Sequence, residues 1–288
     1  MFLPRKVLEE KLHSILTEDL GQGDVTTELL VPKQSTSEAE IVAREVGTAA
    51  GLEEAQVLLE SLGLEVESLA KDGDKVRIGQ KLLKINGDTR TILSAERTTL
   101  NIISRMSGIA TATRSTADRL RKAKLKTKVA CTRKTAPGLM YFDKKAVKIG
   151  GGDTHRLHLD DLILIKDNHI TVAGGIEKAL AKAREKASFS KKIEIEVTKP
   201  ENAVFAATTG ADIIMLDNFS PKQIEKTIGL LKKANLFGKV LLEASGGITS
   251  ENALKYAASG VDIISLGEIT HSPRALNISL EIIKTKKV

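Results

Sequence analysis

Charged and small residues follow a fixed order through the second half of the 288-residue chain. Arg133 and Lys134 come first, then His155 and Arg156 behind Gly150-Gly151-Gly152, then Lys166 ahead of Asp167-Asn168-His169. Glu194 and Glu196 stand two residues apart, Asp217 precedes Asn218, Glu243 precedes Ser245-Gly246-Gly247, and Gly267-Glu268 close the series. An arginine offers a carboxylate two parallel donors, and a lysine offers a mobile point charge. Paired carboxylates suit a divalent cation or the hydroxyls of a ribose. A glycine-rich turn leading into a helix presents unhindered N–H groups to a phosphate. Ser245-Gly246-Gly247, with a helix expected near Thr249, fits that use. The chemistry implied is the handling of small anions.

Each feature taken singly has a plainer explanation. Gly-Gly turns commonly just close a strand–helix connection, and a carboxylate at a strand end is more often a helix cap or a surface ion pair. Lys144, Lys145 and Lys148 are expected on an exposed face, His13 on a helix surface, and His271, near Pro273, in a loop. The plain readings do not explain why cations fall on early segments, acids on middle ones and glycines on late ones.

The elements that position these residues come from periodicity. Val7, Leu8, Leu12, Ile15 and Leu16 follow helical spacing, which runs out at Gly21-Gln22-Gly23. Strand-like runs at 38–43, 64–69, 75–78 and 81–85, separated by turns such as Asp72-Gly73-Asp74, make a small α+β domain. A helix capped by Ser94 is predicted to run to about Met106, before Ser107-Gly108, and to bridge to a second domain. From about residue 127, strands at 128–131, 147–149, 162–165, 193–197, 212–216, 240–243 and 262–266 alternate with helices at 176–187, 201–208, 221–234 and 251–258. Such repetition implies a parallel sheet covered on its faces, and about seven units favour closure into a barrel. An open doubly wound sheet is the alternative. In a parallel barrel the strands' carboxyl ends carry the site, and the ordered residues fall there.

Composition narrows the function classes. The net charge is +7 with a sequence pI near 9.3, which favours anionic partners without selecting one. Aromatic residues are 3% with no Trp, leaving little material for stacking nucleic-acid bases. Cys131, the single cysteine, excludes an internal disulfide and a zinc–thiolate cluster, and its apolar neighbours predict a buried thiol. The N-terminus lacks a signal-peptide core and no apolar run approaches the ~20 residues of a membrane span, so a cytoplasmic protein is expected. A barrel lyase or aldolase using Lys134 or Lys166 as a Schiff base and a salt-sensitive nucleic-acid binder stay open as alternatives.

Longer stretches carry a family resemblance. They are Thr132-Arg-Lys-Thr-Ala-Pro-Gly-Leu-Met140, Ala146-Val-Lys-Ile-Gly-Gly-Gly-Asp-Thr-His-Arg156 and Leu164-Ile-Lys-Asp-Asn-His169. With them come Glu18-Asp-Leu-Gly-Gln-Gly-Asp-Val-Thr-Thr27, Glu96-Arg-Thr-Thr-Leu-Asn101, Ser107-Gly-Ile-Ala-Thr111, Met215-Leu-Asp-Asn-Phe219 and Glu243-Ala-Ser-Gly-Gly-Ile248. In that order the chain resembles the quinolinate phosphoribosyltransferases, also called carboxylating nicotinate-nucleotide pyrophosphorylases. Met140 stands where many relatives carry Arg. A molybdenum-transport-associated branch shares much of the pattern, and Lys166 favours the quinolinate branch.

The resemblance implies an N-terminal α/β sandwich domain over residues 1–107, to which 272–288 return, and an incomplete-type parallel α/β barrel over 108–271. It implies conversion of quinolinate and phosphoribosyl pyrophosphate to nicotinate mononucleotide, pyrophosphate and CO2, with Mg2+ as cofactor. Quinolinate would meet Arg97, Arg133, His155, Arg156 and Lys166, with Lys134 nearby. Glu196 and Asp217 would face ribose and metal. Ser245, Gly246 and Gly267 would face the 5′-phosphate, with Gly247 and Ser265 as further substrate contacts. The catalytic set would be Lys134, Lys166, Glu196 and Asp217. It further implies a homodimer, or a higher oligomer, in which Arg97 reaches into the partner's site, and no nucleic-acid or membrane partner.

Overall fold

A computed structural model describes residues 3–286; Met1, Phe2 and the last two residues of the expected returning segment, 287–288, lie outside the described residues. The elements in chain order are α1 (Arg5–Leu20), α2 (Val25–Leu30), β1 (Thr36–Ala43), β2 (Gly47–Thr48), α3 (Leu52–Ser61), β3 (Glu65–Ser68), β4 (Lys75–Val76), β5 (Lys81–Asp88) and α4 (Thr89–Lys122). Next come β6 (Lys128–Cys131), α5 (Met140–Ile149), β7 (Ile163–Ile165), α6 (Asp167–Ala173), α7 (Ile176–Lys186), β8 (Ile193–Val197), α8 (Pro200–Thr208) and β9 (Ile213–Asp217). The chain ends with α9 (Pro221–Lys233), β10 (Leu241–Ser245), α10 (Ala253–Ala258), β11 (Ile263–Leu266), α11 (Glu268–His271) and β12 (Ile278–Lys286). No described helix is long and apolar enough to cross a membrane.

Two compact units divide the chain. Unit 1 takes the residues up to Ala112, Tyr141–Gly151 and the chain from Pro273 onward. Its sheet runs β12-β1-β5-β3, antiparallel throughout, with the C-terminal strand paired along the whole of β1. Ala39, Ile41, Leu83 and Ile85 are fully buried in that sheet. The helix α4 does not stop at Ser107-Gly108. Ser107 instead bonds Ala50, its Oγ donating to Ala50 O at 3.1 Å and accepting from Ala50 N at 3.0 Å. Gly108 lets the chain pass close by, since a Cβ there would sit 1.9 Å from the Arg274 carbonyl oxygen. The Ser-Gly pair is a point of close packing, so the helix extends to Lys122.

The strand expected at 147–149 is the last turn of α5. Residues 141–151 belong to unit 1, and two expected surface lysines are buried there. Lys145 Nζ donates to Glu54 Oε1 at 2.6 Å and also to Glu53, while Lys148 alone of the three is exposed. Asp143 accepts from Arg105 at 2.7 and 2.9 Å. Charges that find buried partners need not face water, and sequence spacing carries no sign of those partners.

Unit 2 comprises Thr113–Met140 and Gly152–Ser272. Its six strands run parallel in the order β6-β11-β10-β9-β8-β7. From β7 to β11 each neighbour is the next strand in the chain, and the first strand lies beside the last. A doubly wound sheet would reverse order at a switch point; this succession is that of a barrel. The barrel is incomplete because β6 and β7 do not pair. A bridge between Ala130 and Asp153 stands beside β6 in place of a seventh strand. One side of these strands is apolar and buried: Ile195 and Val197, Ile214 and Leu216, Leu242 and Ala244, Ile264 and Leu266.

Candidate active site

Side chains alternate across a strand, so the residues between those apolar ones share the opposite face. They are Leu164 on β7 and Lys166 just beyond it, Glu194 and Glu196 on β8, Met215 and Asp217 on β9, Glu243 and Ser245 on β10, and Ser265 on β11. All except Glu194 line one cavity of about 520 Å³, together with Arg133, Lys134, His155, Arg156, Asn218, Gly246 and Gly247. Gly267 lines an adjoining cavity of about 300 Å³ that shares Lys134, Ser265 and the Ser245–Gly247 loop. His271, expected in a loop, ends α11 and lines this second cavity. Arg97 is not among the lining residues. It lies on α4 in unit 1, 65% exposed, with Glu96 at 3.9 Å.

The cations are held in different ways. Arg156 is nearly buried, donating through Nε to His158 O at 3.1 Å and through Nη2 to Leu159 O at 2.9 Å. Burial, and next the positive charge of Arg133, pull its pKa below the usual arginine range. Lys166 is half exposed, with Nζ 3.5 Å from Glu196 Oε2. Burial pushes the Glu196 carboxyl up and the Asp217 charge adds to it, with Lys166 opposing. Lys134 is fixed through its backbone: its N–H donates to Thr132 Oγ1 at 3.1 Å and its carbonyl accepts from Thr270 Oγ1 at 2.8 Å.

His155 has left-handed backbone, φ 51°, a conformation uncommon outside glycine and characteristic of constrained functional segments. Its Nε2 reaches Glu243 Oε2 at 2.8 Å, with Glu194 Oε2 at 3.5 Å. Both carboxylates are fully buried. Burial disfavours a charged imidazole, but the two carboxylates outweigh it and the His155 pKa is pushed up to about 10. Burial also raises the Glu194 carboxyl, against the effect of His155. Glu194 and Glu243 appear among the ordered acids of the sequence, yet nothing local marks them as partners of a histidine on another strand's loop.

The glycine turn also differs from expectation. The helix after it begins at Ala253, not near Thr249. Asn252 organises the interval: its Oδ1 accepts from Thr249 N at 2.9 Å and its Nδ2 donates to Gly247 O at 3.0 Å. An anion here would meet loop N–H groups and not the first turn of a helix.

Comparison with known proteins agrees with this geometry. Residues 109–281 match the model of the quinolinate phosphoribosyl transferase C-terminal domain, and 24–107 that of the N-terminal domain. A probable carboxylating nicotinate-nucleotide pyrophosphorylase of Methanothermobacter thermautotrophicus is 45% identical over 94% of this chain and 97% of its own length. The carboxylating nicotinate-nucleotide pyrophosphorylase of Homo sapiens is 35% identical over 98% and 94%. The crystal structure of NadC from Streptococcus pyogenes superposes with a TM-score of 0.90 at 35% identity, covering 99% of each chain. The chain belongs to the quinolinate phosphoribosyltransferase family.

Proposed function

We propose that this protein transfers the phosphoribosyl group of phosphoribosyl pyrophosphate to quinolinate with loss of CO2, giving nicotinate mononucleotide and pyrophosphate for de novo NAD biosynthesis. The observation that carries the reading is one cavity in which Arg133, Lys134, His155, Arg156 and Lys166 stand with Glu196, Asp217 and the Gly246-Gly247 turn. The cations take the two carboxylates of the ring, the acids take the ribose, and the turn takes the 5′-phosphate.

The chain's part in the reaction is chiefly positioning and charge. Arg133, Arg156, His155 and Lys166 hold the dicarboxylate so that its ring nitrogen faces the ribose carbon. As the carbon–pyrophosphate bond breaks, Glu196 and Asp217 hold the hydroxyls of a ribose that gains positive character, and their negative charge favours it. The ring nitrogen then bonds to that carbon. When the C2–carboxylate bond breaks, CO2 leaves and the electron pair stays on C2, stabilised by the adjacent positive ring nitrogen, and C2 takes a proton from water. No covalent protein nucleophile is required.

The donor set fits Mg2+. Glu196 and Asp217 face the same cavity, and the Glu196 carboxyl is raised by burial first and by the Asp217 charge second. Magnesium binds through one or two carboxylates plus phosphate oxygens and water, so these two residues would hold it together with the substrate. Bound there it supplies positive charge to the pyrophosphate leaving group.

The assembly that fits this reading is a homodimer, or a higher oligomer built from it, in which the exposed Arg97 serves the partner subunit's cavity. The reading includes no nucleic-acid partner and no membrane. The reading places the protein in the cytoplasm. The test compares quinolinate with nicotinate in the presence of phosphoribosyl pyrophosphate and Mg2+. Nicotinate mononucleotide and CO2 are expected from quinolinate; equal turnover of nicotinate would refute a site built for two carboxylates.

A further inference from the structure

Asn218 has no role in the reaction as set out above, yet three of its groups touch the sugar end of the cavity. It directly follows Asp217, where β9 ends, and its backbone is left-handed, φ 56°. Its side-chain Nδ2 donates to Asp217 Oδ2 at 2.7 Å. Its backbone N–H donates to Ser245 O at 2.9 Å. The other face of the same amide fills the space beside Gly246. A Cβ on Gly246 would lie 2.4 Å from Asn218 Oδ1, 2.7 Å from its Cγ and 2.9 Å from its backbone N.

The orientation of the amide follows from chemistry. An ionised Asp217 only accepts, so the NH2 must face it and the carbonyl oxygen must face Gly246. The bond occupies Oδ2 of Asp217 and leaves Oδ1 free for a ligand. Gly246 is itself left-handed, φ 89°, so its lack of a side chain serves both the turn and the fit against Asn218. Asp217 and Ser245 are register partners in the sheet, which brings the acid and the turn side by side before Asn218 joins them.

We propose that Asn218 is a positioning residue that locks the Asp217 carboxylate and the Ser245-Gly246-Gly247 turn into one geometry, so that the ribose and phosphate ends of the sugar substrate are received as a unit. The proposal rests on the phosphoribosyl-transfer reading for its substrate. Asn218 acts on the sugar side, because among the described residues its hydrogen bonds go to Asp217 and Ser245 and its amide lies against Gly246. Misplacing a substrate group by about 1 Å costs on the order of a hundredfold in rate.

The test uses the full-length protein with Asn218→Gly, Asn218→Asp, Gly246→Ala and the Asn218→Gly/Gly246→Ala double variant. Asn218→Gly tolerates the left-handed backbone and lacks the amide. A fall of about ten- to a hundredfold in kcat/KM for phosphoribosyl pyrophosphate is expected, with KM for quinolinate within about twofold of wild type. Asn218→Asp keeps the size and the turn but sets an acceptor against Asp217, and is expected to lose at least as much. The double variant is expected to lose less than the product of the two single losses, because the two side-chain atoms nearest the added methyl are gone and only the backbone N at 2.9 Å remains close. A rise in KM for quinolinate equal to that for phosphoribosyl pyrophosphate, a near-wild-type Asn218→Asp, or strictly multiplicative losses would each overturn the proposal. Calorimetric titration of the same proteins with inorganic phosphate reads the coupling without turnover. If the wild type converts no quinolinate, the functional reading fails on its own, and additive phosphate affinities in this cycle would sink the Asn218 proposal separately.

Discussion

His155 Nε2 and Glu243 Oε2 meet at 2.8 Å inside the barrel, although 88 residues separate them in the chain. Glu194 Oε2 lies 3.5 Å from the same nitrogen, and three of the four carboxylate oxygens, Glu194 Oε1 and Oε2 and Glu243 Oε1, have no hydrogen-bond partner among the described residues. Unpartnered buried carboxylate oxygens are costly unless a positive charge or a proton compensates them. His155 supplies that charge, and its raised pKa puts an imidazolium in the cavity lining at neutral pH.

The pH dependence of stability follows. The His155 pKa rises from 6.5 to about 10 on folding. A group raised in the folded state stabilises fully below its unfolded pKa and loses that contribution as pH climbs through the folded one. Glu194, also raised, acts in the same direction at lower pH. Urea unfolding of wild type and His155→Gln should therefore show a wild-type advantage at about pH 7 that shrinks towards about pH 10.5. An advantage growing with pH would contradict an imidazolium.

Lys166 serves two charges, the substrate's carboxylate in the proposed reaction and Glu196 at 3.5 Å. Lys166→Met, which keeps the length and removes the charge, is expected to lower kcat/KM for quinolinate by about a hundred- to a thousandfold. Lys166→Arg should fall between the two, because a fork replaces a point charge in a site not shaped for it. Initial rates at varied quinolinate decide it, and unchanged turnover in Lys166→Met would remove Lys166 from the ring-binding set.

Shared active sites can be read by subunit mixing. Arg97→Ala and Lys166→Ala proteins, each impaired alone, are unfolded together and refolded at equal ratio. Random pairing makes half the dimers mixed, and each mixed dimer has one intact site, so about a quarter of wild-type activity should return. No recovery would show that Arg97 serves its own subunit or none.

Lys145 is a stability prediction independent of the reaction. Its removal leaves Glu54 fully buried without its cation. Breaking one side of such a pair typically costs about 3–5 kcal/mol. Lys145→Met should lower the unfolding free energy by roughly that amount, and Lys145→Met/Glu54→Leu should recover part of it. Denaturant midpoints at constant m-value are the measurement. A loss below about 0.5 kcal/mol would mean the pair is solvated in solution.

What local rules control was readable from residue order. Two-residue alternation places Glu194 with Glu196, and repeated strand–helix units require a parallel sheet, because hydrogen-bonding geometry and apolar burial act on every segment alike, while the strand order that makes it a barrel is tertiary. The cations, acids and glycines at strand ends follow from the same frame, and their fuller match to a family came from whole motifs. The same alternation, carried across to β9, would also have put Met215 on the cavity face.

Local periodicity does not determine which charges meet. Lys145 lies in a basic run that spacing assigns to a surface, yet Glu54, 91 residues earlier, draws it inside. Residues 147–149 carry apolar residues in a strand's alternation, yet they close α5, the helix whose Asp143 and Lys145 are ion-paired. His155 became a cation through acids on two other strands, and Gly246 needed its bareness partly for Asn218. Such pairings depend on distances that exist only after the strands assemble. Electrostatic energy falls with separation and rises with burial, and both are properties of the folded chain.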